Sequence, residues 1–283
     1  MKVIAVLMTC HNRRDKTLEC LATLFKNGDV PNIALDVYLV DDGSTDGTSM
    51  AVSSLYPNVK LIYGDGSLYW NGGMRIAFAS AMAKGFDFYL WLNDDTFLFD
   101  DAVLNMLRTY EKVSEHGETN SIVVGSTRDI FTGHLTYGGE VRSSSWKPLA
   151  FKHVQPTTNP IRCITMNGNF VLIPKAAVAI LGNLEQSFSH AMGDTDYGLR
   201  ANAANIPLWV TPGFVGTCGH NSKSNTYLDK SLSLRTRFRK IFDVKGLPVA
   251  PWYVFTKRHG GFLWPLYFVW PYIKVIGRTG CSR

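Results

Sequence analysis

The sequence predicts an α/β fold in which a mainly parallel sheet is sandwiched by helices, with a small antiparallel extension and a helical C-terminal tail. Three observations carry this. Strand-like and helix-like runs alternate from the first residues to Asp95; the strand-like runs are continuously apolar; and each of them stops at a polar or acidic cluster. Strands buried on both faces of a parallel sheet read in this way, and the ligands of such sheets bind beyond the carboxyl ends of the strands.

Lys2 to Thr9 is the first such run, partly β-branched, and it stops at Cys10-His11-Asn12-Arg13. Its basic start and short apolar stretch superficially resemble a leader, but no small-residue cleavage site follows and polar residues come at once, so it is a buried strand. Arg14 to Lys26 places Leu18, Leu21, Leu24 and Phe25 at helical spacing. Val37 to Val40 is a second strand, ended by Asp41-Asp42-Gly43-Ser44-Thr45-Asp46-Gly47, and Thr48 to Leu55 is helical. Lys60 to Tyr63 is a third strand, Met74 to Lys84 a helix, and Phe88 to Leu92 a fourth strand running into Asn93-Asp94-Asp95. Between Ser121 and Pro174 turn signals at Thr132-Gly133 and Gly138-Gly139 separate short segments, as in a mixed or antiparallel extension. Asp194 to Asn205 reads as a helix and Leu208 to Val210 as a strand.

Composition bounds the rest. With 283 residues, 46% of them hydrophobic, the chain can bury one large domain with an appendage. Five scattered cysteines, Cys10, Cys20, Cys163, Cys218 and Cys281, form no CxxC pair, which argues against a disulfide framework or zinc knuckle and for a reducing cytoplasm. The net charge of +6 is uneven: residues 223–283 hold 12 Lys or Arg against Asp229 and Asp243, leaving −4 on the preceding 222 residues. We therefore separate residues 1–222, with a change of pattern after about residue 120, from a basic aromatic region at 223–283.

Acidic groups driven to the end of an apolar strand suit a hard divalent cation, Mg2+ or Mn2+, which takes oxygen ligands and often uses one or two carboxylates beside substrate phosphates. Asp94 and Asp95 supply them, although an Asn-Asp-Asp triplet alone is equally the chemistry of a turn. Asp65-Gly66-Ser67-Leu68-Tyr69-Trp70-Asn71-Gly72-Gly73-Met74-Arg75 lies between a strand and a helix, where glycines let backbone approach a ligand or simply make a turn. Neither GxGxxG nor GxxxxGK[ST] occurs, so dinucleotide and ATP sites lose their best support.

In this order the motifs resemble those of a family-2 glycosyltransferase with the GT-A fold, over roughly residues 1–222. Thr9-Cys10-His11-Asn12-Arg13 resembles the family's nucleobase loop, with Thr9, His11 and Arg13 on the donor, and Val40 to Asp46 resembles its best-known signature, in which Asp42 recognises the base. Asp94-Asp95 is similar to the DXD-type element, which implies Asp94 near the ribose or metal and Asp95 on the metal. Gly193-Asp194-Thr195-Asp196-Tyr197 and Arg200 resemble the later acidic motif, which implies Asp194 as general base and Asp196 and Arg200 on the acceptor side; helix capping is the other reading of Asp194. The Asp65 to Arg75 loop resembles that of the rhamnosyltransferase-like branch and implies donor contacts from Gly66, Trp70, Asn71, Gly72, Gly73 and Arg75. Asn167, Gly168 and Asn169 resemble the acceptor-side loop, or make a plain turn. His220 resembles the histidine that completes the metal or diphosphate site, although a lone histidine is as often structural.

The resemblance implies an inverting transferase that uses a dTDP- or UDP-sugar, with a lean to dTDP-rhamnose, to extend a cell-surface polysaccharide such as O-antigen or capsule, or a lipid-linked glycan. A catalytically inactive nucleotide- or glycan-binding module and a metal-dependent sugar-nucleotide hydrolase are the alternatives. Through 235–278 the tail pairs basic clusters with an uncharged run, Gly261 to Ile273, broken by Pro265 and Pro271 and far short of the roughly 20 residues that span a bilayer. It fits either an anionic membrane surface, hence a peripheral enzyme at the inner face of the cell membrane, or a helix pair packed on the catalytic domain. No nucleic-acid-binding motif is present.

Overall fold

A computed structural model of the chain describes residues 1–29, 32–220, 222 and 224–277; Asn221, Arg278 and Cys281 lie outside the described residues. Strand β1 (Lys2–Cys10) is central because it is apolar on both sides: Ile4, Val6 and Met8 enter one core and Ala5 and Leu7 the other. Helix α1 (Arg14–Lys26) buries Cys20, Leu21 and Leu24 in the first of these cores. The chain returns as β2 (Ile33–Asp41), parallel to β1 with Cys10 opposite Asp41, and α2 (Thr48–Leu55) leads to the parallel edge strand β3 (Lys60–Tyr63). Helix α3 (Tyr69–Met82) buries Met74, Ala77, Phe78 and Ala81 in the second core, and β4 (Phe88–Leu92) pairs in parallel on the other side of β1.

One boundary differs with consequence. Helix α3 begins at Tyr69 rather than Met74, so Trp70, Asn71, Gly72, Gly73 and Arg75 are helical and not loop residues. Packing is the reason. A Cβ on Gly73 would stand 2.1 Å from Thr9 Oγ1, so glycine lets the first turn of α3 lie directly against the end of β1.

Beyond β4 come β5 (Phe97–Leu98), α4 (Ala102–Ser114), β6 (Ile122–Arg128), β7 (Leu135–Tyr137), β8 (Gly139–Arg142), β9 (Phe151–His153), β10 (Ile161–Cys163), β11 (Thr165–Met166) and β12 (Phe170–Pro174). Helices α5 (Lys175–Leu181) and α6 (Gly193–Ala203) precede β13 (Leu208–Thr217). The main sheet runs β10-β13-β6-β12-β4-β1-β2-β3, with β12 antiparallel between β4 and β6, while β11-β8-β9 form the small antiparallel extension. Strand β13 outlasts Leu208 to Val210 because Thr211-Pro212-Gly213 bulges it without ending it: Gly213 takes φ +65° and the register with β6 shifts between Val210 and Phe214.

The tail folds as α7 (Leu234–Ile241), α8 (Val249–His259) and α9 (Trp264–Gly277). Phe242 stacks on Tyr272 and Tyr253 meets Phe268 edge-on, so the three helices pack on one another. Phe255 of α8 joins Phe188 and Leu199 in a separate buried cluster, which docks the tail on α6. No described helix is long and apolar enough to cross a membrane.

Candidate active site

The parallel strands β1, β2 and β4 deliver their polar ends to one face of the sheet. There the first two loops are laced together. Asn12, in the left-handed region at φ +50°, accepts from Thr45 N at 2.7 Å and donates its own N–H to Ser44 Oγ at 2.9 Å. His11 Nδ1–H donates to the Asp42 carbonyl at 2.5 Å. Buried Asp41 accepts from Ser44 N at 3.0 Å and from the Ser49 hydroxyl, while buried Asp42 accepts from Gly66 N at 2.8 Å and Tyr69 N at 2.9 Å. The Asp42 carboxylate therefore holds the entry to α3 in place.

At the end of β4, Asn93 Oδ1 accepts from Trp70 Nε1 at 2.7 Å and Asn93 N donates to the Asn169 carbonyl at 3.0 Å, tying α3 and the start of β12 to the triplet. Arg13 bridges both carboxylates, with Nη1 3.1 Å from Asp94 Oδ1 and 2.8 Å from Asp95 Oδ2. Burial pushes the Asp94 carboxyl up to about 6 against the opposing pull of Arg13, and its Oδ2 has no partner. An orphaned buried carboxylate oxygen beside a more accessible Asp95 fits a divalent cation shared with a donor's phosphates. It does not fit an all-protein cage: among the described residues no group of three His, Cys, Asp or Glu side chains is placed to hold a metal ion by itself. His220 packs its ring on Tyr137, 5.6 Å between centroids, and the link from that segment to the acid pair is instead Cys218 Sγ, 3.7 Å from Asp95 Oδ1.

The acceptor-side loop and the expected base do meet. Asp194, in the first turn of α6 after a left-handed Met192, accepts from Gly168 N at 2.9 Å and from its neighbour Thr195 N at 2.8 Å. Burial raises its carboxyl above the ordinary carboxylate value despite these donors. Gly168 is needed because a Cβ there would lie 2.4 Å from Trp70 Cζ2. Trp70 thus touches both the acid triplet and the base loop. Asn167 Oδ1 accepts from Gly138 N at 3.4 Å, and buried Asn169 points its amide at Thr96 Oγ1, also 3.4 Å, so both brace the loop.

Glu140 of β8 was not anticipated. Burial and then the charge of Asp194 push its carboxyl up to about 7, and His153 Nδ1 stands 3.5 Å away. Its only sequence signal was an acidic residue directly after the Gly138-Gly139 turn, which is ordinary hairpin chemistry. Because the folded value lies above the ordinary 4.5, this group favours the native state most below that pH, and the contribution fades as pH rises toward 7. Glu140→Gln is therefore expected to stabilise the protein by on the order of 1–2 kcal/mol at about pH 8 and by nothing near pH 4, as urea denaturation at the two pH values measures.

Four expected site residues are engaged elsewhere. Asn71 Nδ2 donates to the Glu185 carbonyl at 2.9 Å and the Phe188 carbonyl at 2.6 Å, and Arg75 Nε donates to the Leu184 carbonyl at 3.2 Å, so both brace the segment ahead of α6. Asp196 is completely buried and accepts from Arg200 Nε at 2.9 Å, Arg258 Nη1 at 2.7 Å and His259 Nε2 at 2.8 Å. Arg200 spends its remaining N–H groups on the Leu181 and Asn183 carbonyls. The helical period explains it: Asp194 faces the strand ends, whereas Asp196 and Arg200 fall on the side of α6 turned toward α5 and α8. Of the glycines, Gly66 donates to Asp42 and Gly72 backs onto Leu68.

No curated protein matches the chain in sequence. Among solved structures, the chain is similar to a mannosyltransferase from Pyrobaculum calidifontis in complex with GDP-Man and Mn2+, with TM-score 0.58 at 14% identity over 97% of this chain and 73% of that one. It is also similar to S. aureus TarS, residues 1–349, in complex with UDP, with TM-score 0.57 at 13% identity over 91% of this chain and 70% of that one. At such identity the likeness shows the fold, GT-A. The family model described as glycosyl transferase family 2 matches residues 5–176, well over half of the chain, and the chain belongs to that family.

Proposed function

We propose that the protein is an inverting glycosyltransferase that moves a sugar from a nucleoside diphosphate, dTDP or UDP, with dTDP-rhamnose the favoured donor, to a hydroxyl of a growing cell-surface or lipid-linked glycan. One observation carries it: Trp70 joins two carboxylate centres of different character, the Arg13-bridged Asp94-Asp95 pair and the half-buried base Asp194. Residues 1–120 form the donor half and 121–222 the acceptor half.

In this reading the acceptor oxygen attacks the anomeric carbon as Asp194 takes its proton, and the bond to the diphosphate breaks on the opposite side. A raised carboxyl serves this, since it is the stronger base once ionised. Arg13 and the loop Cys10 to Asn12 position the nucleoside diphosphate. Asp95, with Asp94 beside it, would hold a divalent cation, Mg2+ or Mn2+, which when bound would supply charge stabilisation for the departing diphosphate. His220, on the segment that follows β13, completes the cation or diphosphate site in this reading, its ring resting edge-on against Tyr137. A lipid-linked acceptor places the enzyme at the inner face of the membrane, reached through the basic tail.

Thermal-shift screening of dTDP-, UDP- and GDP-sugars with and without Mn2+ tests the reading. The matching donor at a hundredfold its Kd is expected to add about 2.7 kcal/mol of stability, and Asp95→Ala to remove the Mn2+-dependent part alone. If no nucleotide sugar shifts the transition, or if product analysis with acceptor present shows only free sugar, the transferase reading falls.

A further inference from the structure

Phe262, Leu266, Val269, Trp270 and Ile273 recur at helical spacing along α9 and its lead-in, and all are exposed, Phe262 at 96% and Trp270 at 59%. The other side of α9 is already in use, since Phe268 packs on Tyr253 and Tyr272 on Phe242. Contiguous apolar surface of this kind marks an interaction site. A second element borders it. Tyr267 donates its hydroxyl to the Trp146 carbonyl at 3.2 Å, which sets the turn between β8 and β9 against α9, and Trp146 is 87% exposed. Lys147 follows Trp146 in the turn, Lys274 lies one helical turn beyond Trp270, and Lys257 Nζ stands 5.4 Å from the Tyr253 ring; all three lysines are exposed, and no Asp or Glu occurs between Val249 and Gly277.

We propose that α9 and the Trp146–Lys147 turn form one surface that docks in the plane of an anionic lipid layer, aromatic rings among the headgroups and lysines on the lipid phosphates. Charge selects this occupant: two copies of so basic a face would meet with like charges opposed, whereas an anionic layer complements it. Aromatic rings flanked by lysine favour the headgroup level, and an amphipathic helix too short to span lies in the interface.

The inference rests on the lipid-linked acceptor proposed above and gives that acceptor a geometry. Arg258 and His259 of α8 hold Asp196, which follows the base Asp194 in the same helical turn, and Arg258 Nη2 also reaches Glu185 at 2.7 Å. The turn bearing Trp146 connects β8, which carries Glu140, to β9. Both halves of the docking face are thereby tied to the acceptor side of the site, so an acceptor anchored in the same layer meets the base at a fixed height.

Flotation of the full chain with vesicles of phosphatidylcholine, with and without phosphatidylglycerol, provides the test. Binding to the anionic vesicles is expected, at least tenfold weaker binding to neutral ones, and a loss of at least tenfold in both Phe262→Ser/Trp270→Ser and Trp146→Ser, with Trp146→Phe restoring it. Circular dichroism checks that these exposed substitutions leave the fold intact. Equal binding by the variants, equal binding to both vesicles, or none at all overturns the proposal. So does a dimer in sedimentation velocity that Phe262→Ser/Trp270→Ser disperses while vesicles bind neither form, which identifies a second copy as the occupant. Donor thermal shifts on the same samples separate the two readings: vesicle binding without a donor shift overturns the transferase and leaves the docking face, and the reverse result does the opposite.

Discussion

Asp194→Asn is expected to lower kcat by about 10²- to 10⁴-fold, the range for loss of a positioned general base, while donor affinity and fold are retained. Asparagine keeps an oxygen for the N–H groups of Gly168 and Thr195, at 2.9 and 2.8 Å from the native carboxylate, so the loop stays docked. It cannot take a proton. Burial raises the Asp194 carboxyl, so the wild-type rate should fall with pH on an acid limb lying above the ordinary carboxylate value. That limb should disappear from the residual rate of the variant. The same shift means that the ionised side chain costs stability at neutral pH, so the variant should melt no lower than wild type there. Steady-state kinetics from acid to neutral pH, alongside a melting curve, measure all of this; near-normal turnover would remove Asp194 from the mechanism.

Asp196→Ala should destabilise the fold by about 2–3 kcal/mol, because it removes the buried anion whose charge-assisted hydrogen bonds join α6 to α8. Arg200, Arg258 and His259 all converge on this one carboxylate, which is fully buried. Burial alone would raise its carboxyl, but hydrogen bonds from His259, Arg200 and Arg258 outweigh it and hold the group below the ordinary carboxylate value. A depressed value adds stability above the unfolded-state pKa that is lost as pH falls through the folded one. The difference between wild type and variant should accordingly shrink under acid, which urea denaturation at neutral and strongly acid pH will show. A variant of full stability would mean that the tail does not hold α6.

The parallel half of the sheet and the strand-end position of its acidic clusters were readable directly. Ile4 to Met8, Val37 to Val40 and Phe88 to Leu92 are buried on both faces, so their apolar runs are unbroken and the polar residues that follow mark the carboxyl end. Asp42, Asp94 and Asp95 are found there. The start of α3 was not readable, because Gly72-Gly73 is poor helical sequence and is tolerated only where Thr9 presses against it. Nor was the full length of β13, whose Pro212-Gly213 reads as a stop and proves to be a bulge.

Local sequence determined the class of fold, the order of its parallel core and which segments could carry charge to the site, since hydrophobic period and turn chemistry act between near neighbours. Tertiary structure decided what each polar side chain does. Asp194 and Asp196 lie in one helical turn, yet one faces Gly168 and the other meets Arg258, 62 residues further on. The same holds for Glu140 beside Asp194 and for Trp146 beside α9. Partners so distant in the chain are chosen by which faces close on one another, and burial then sets the charge state that the site can use.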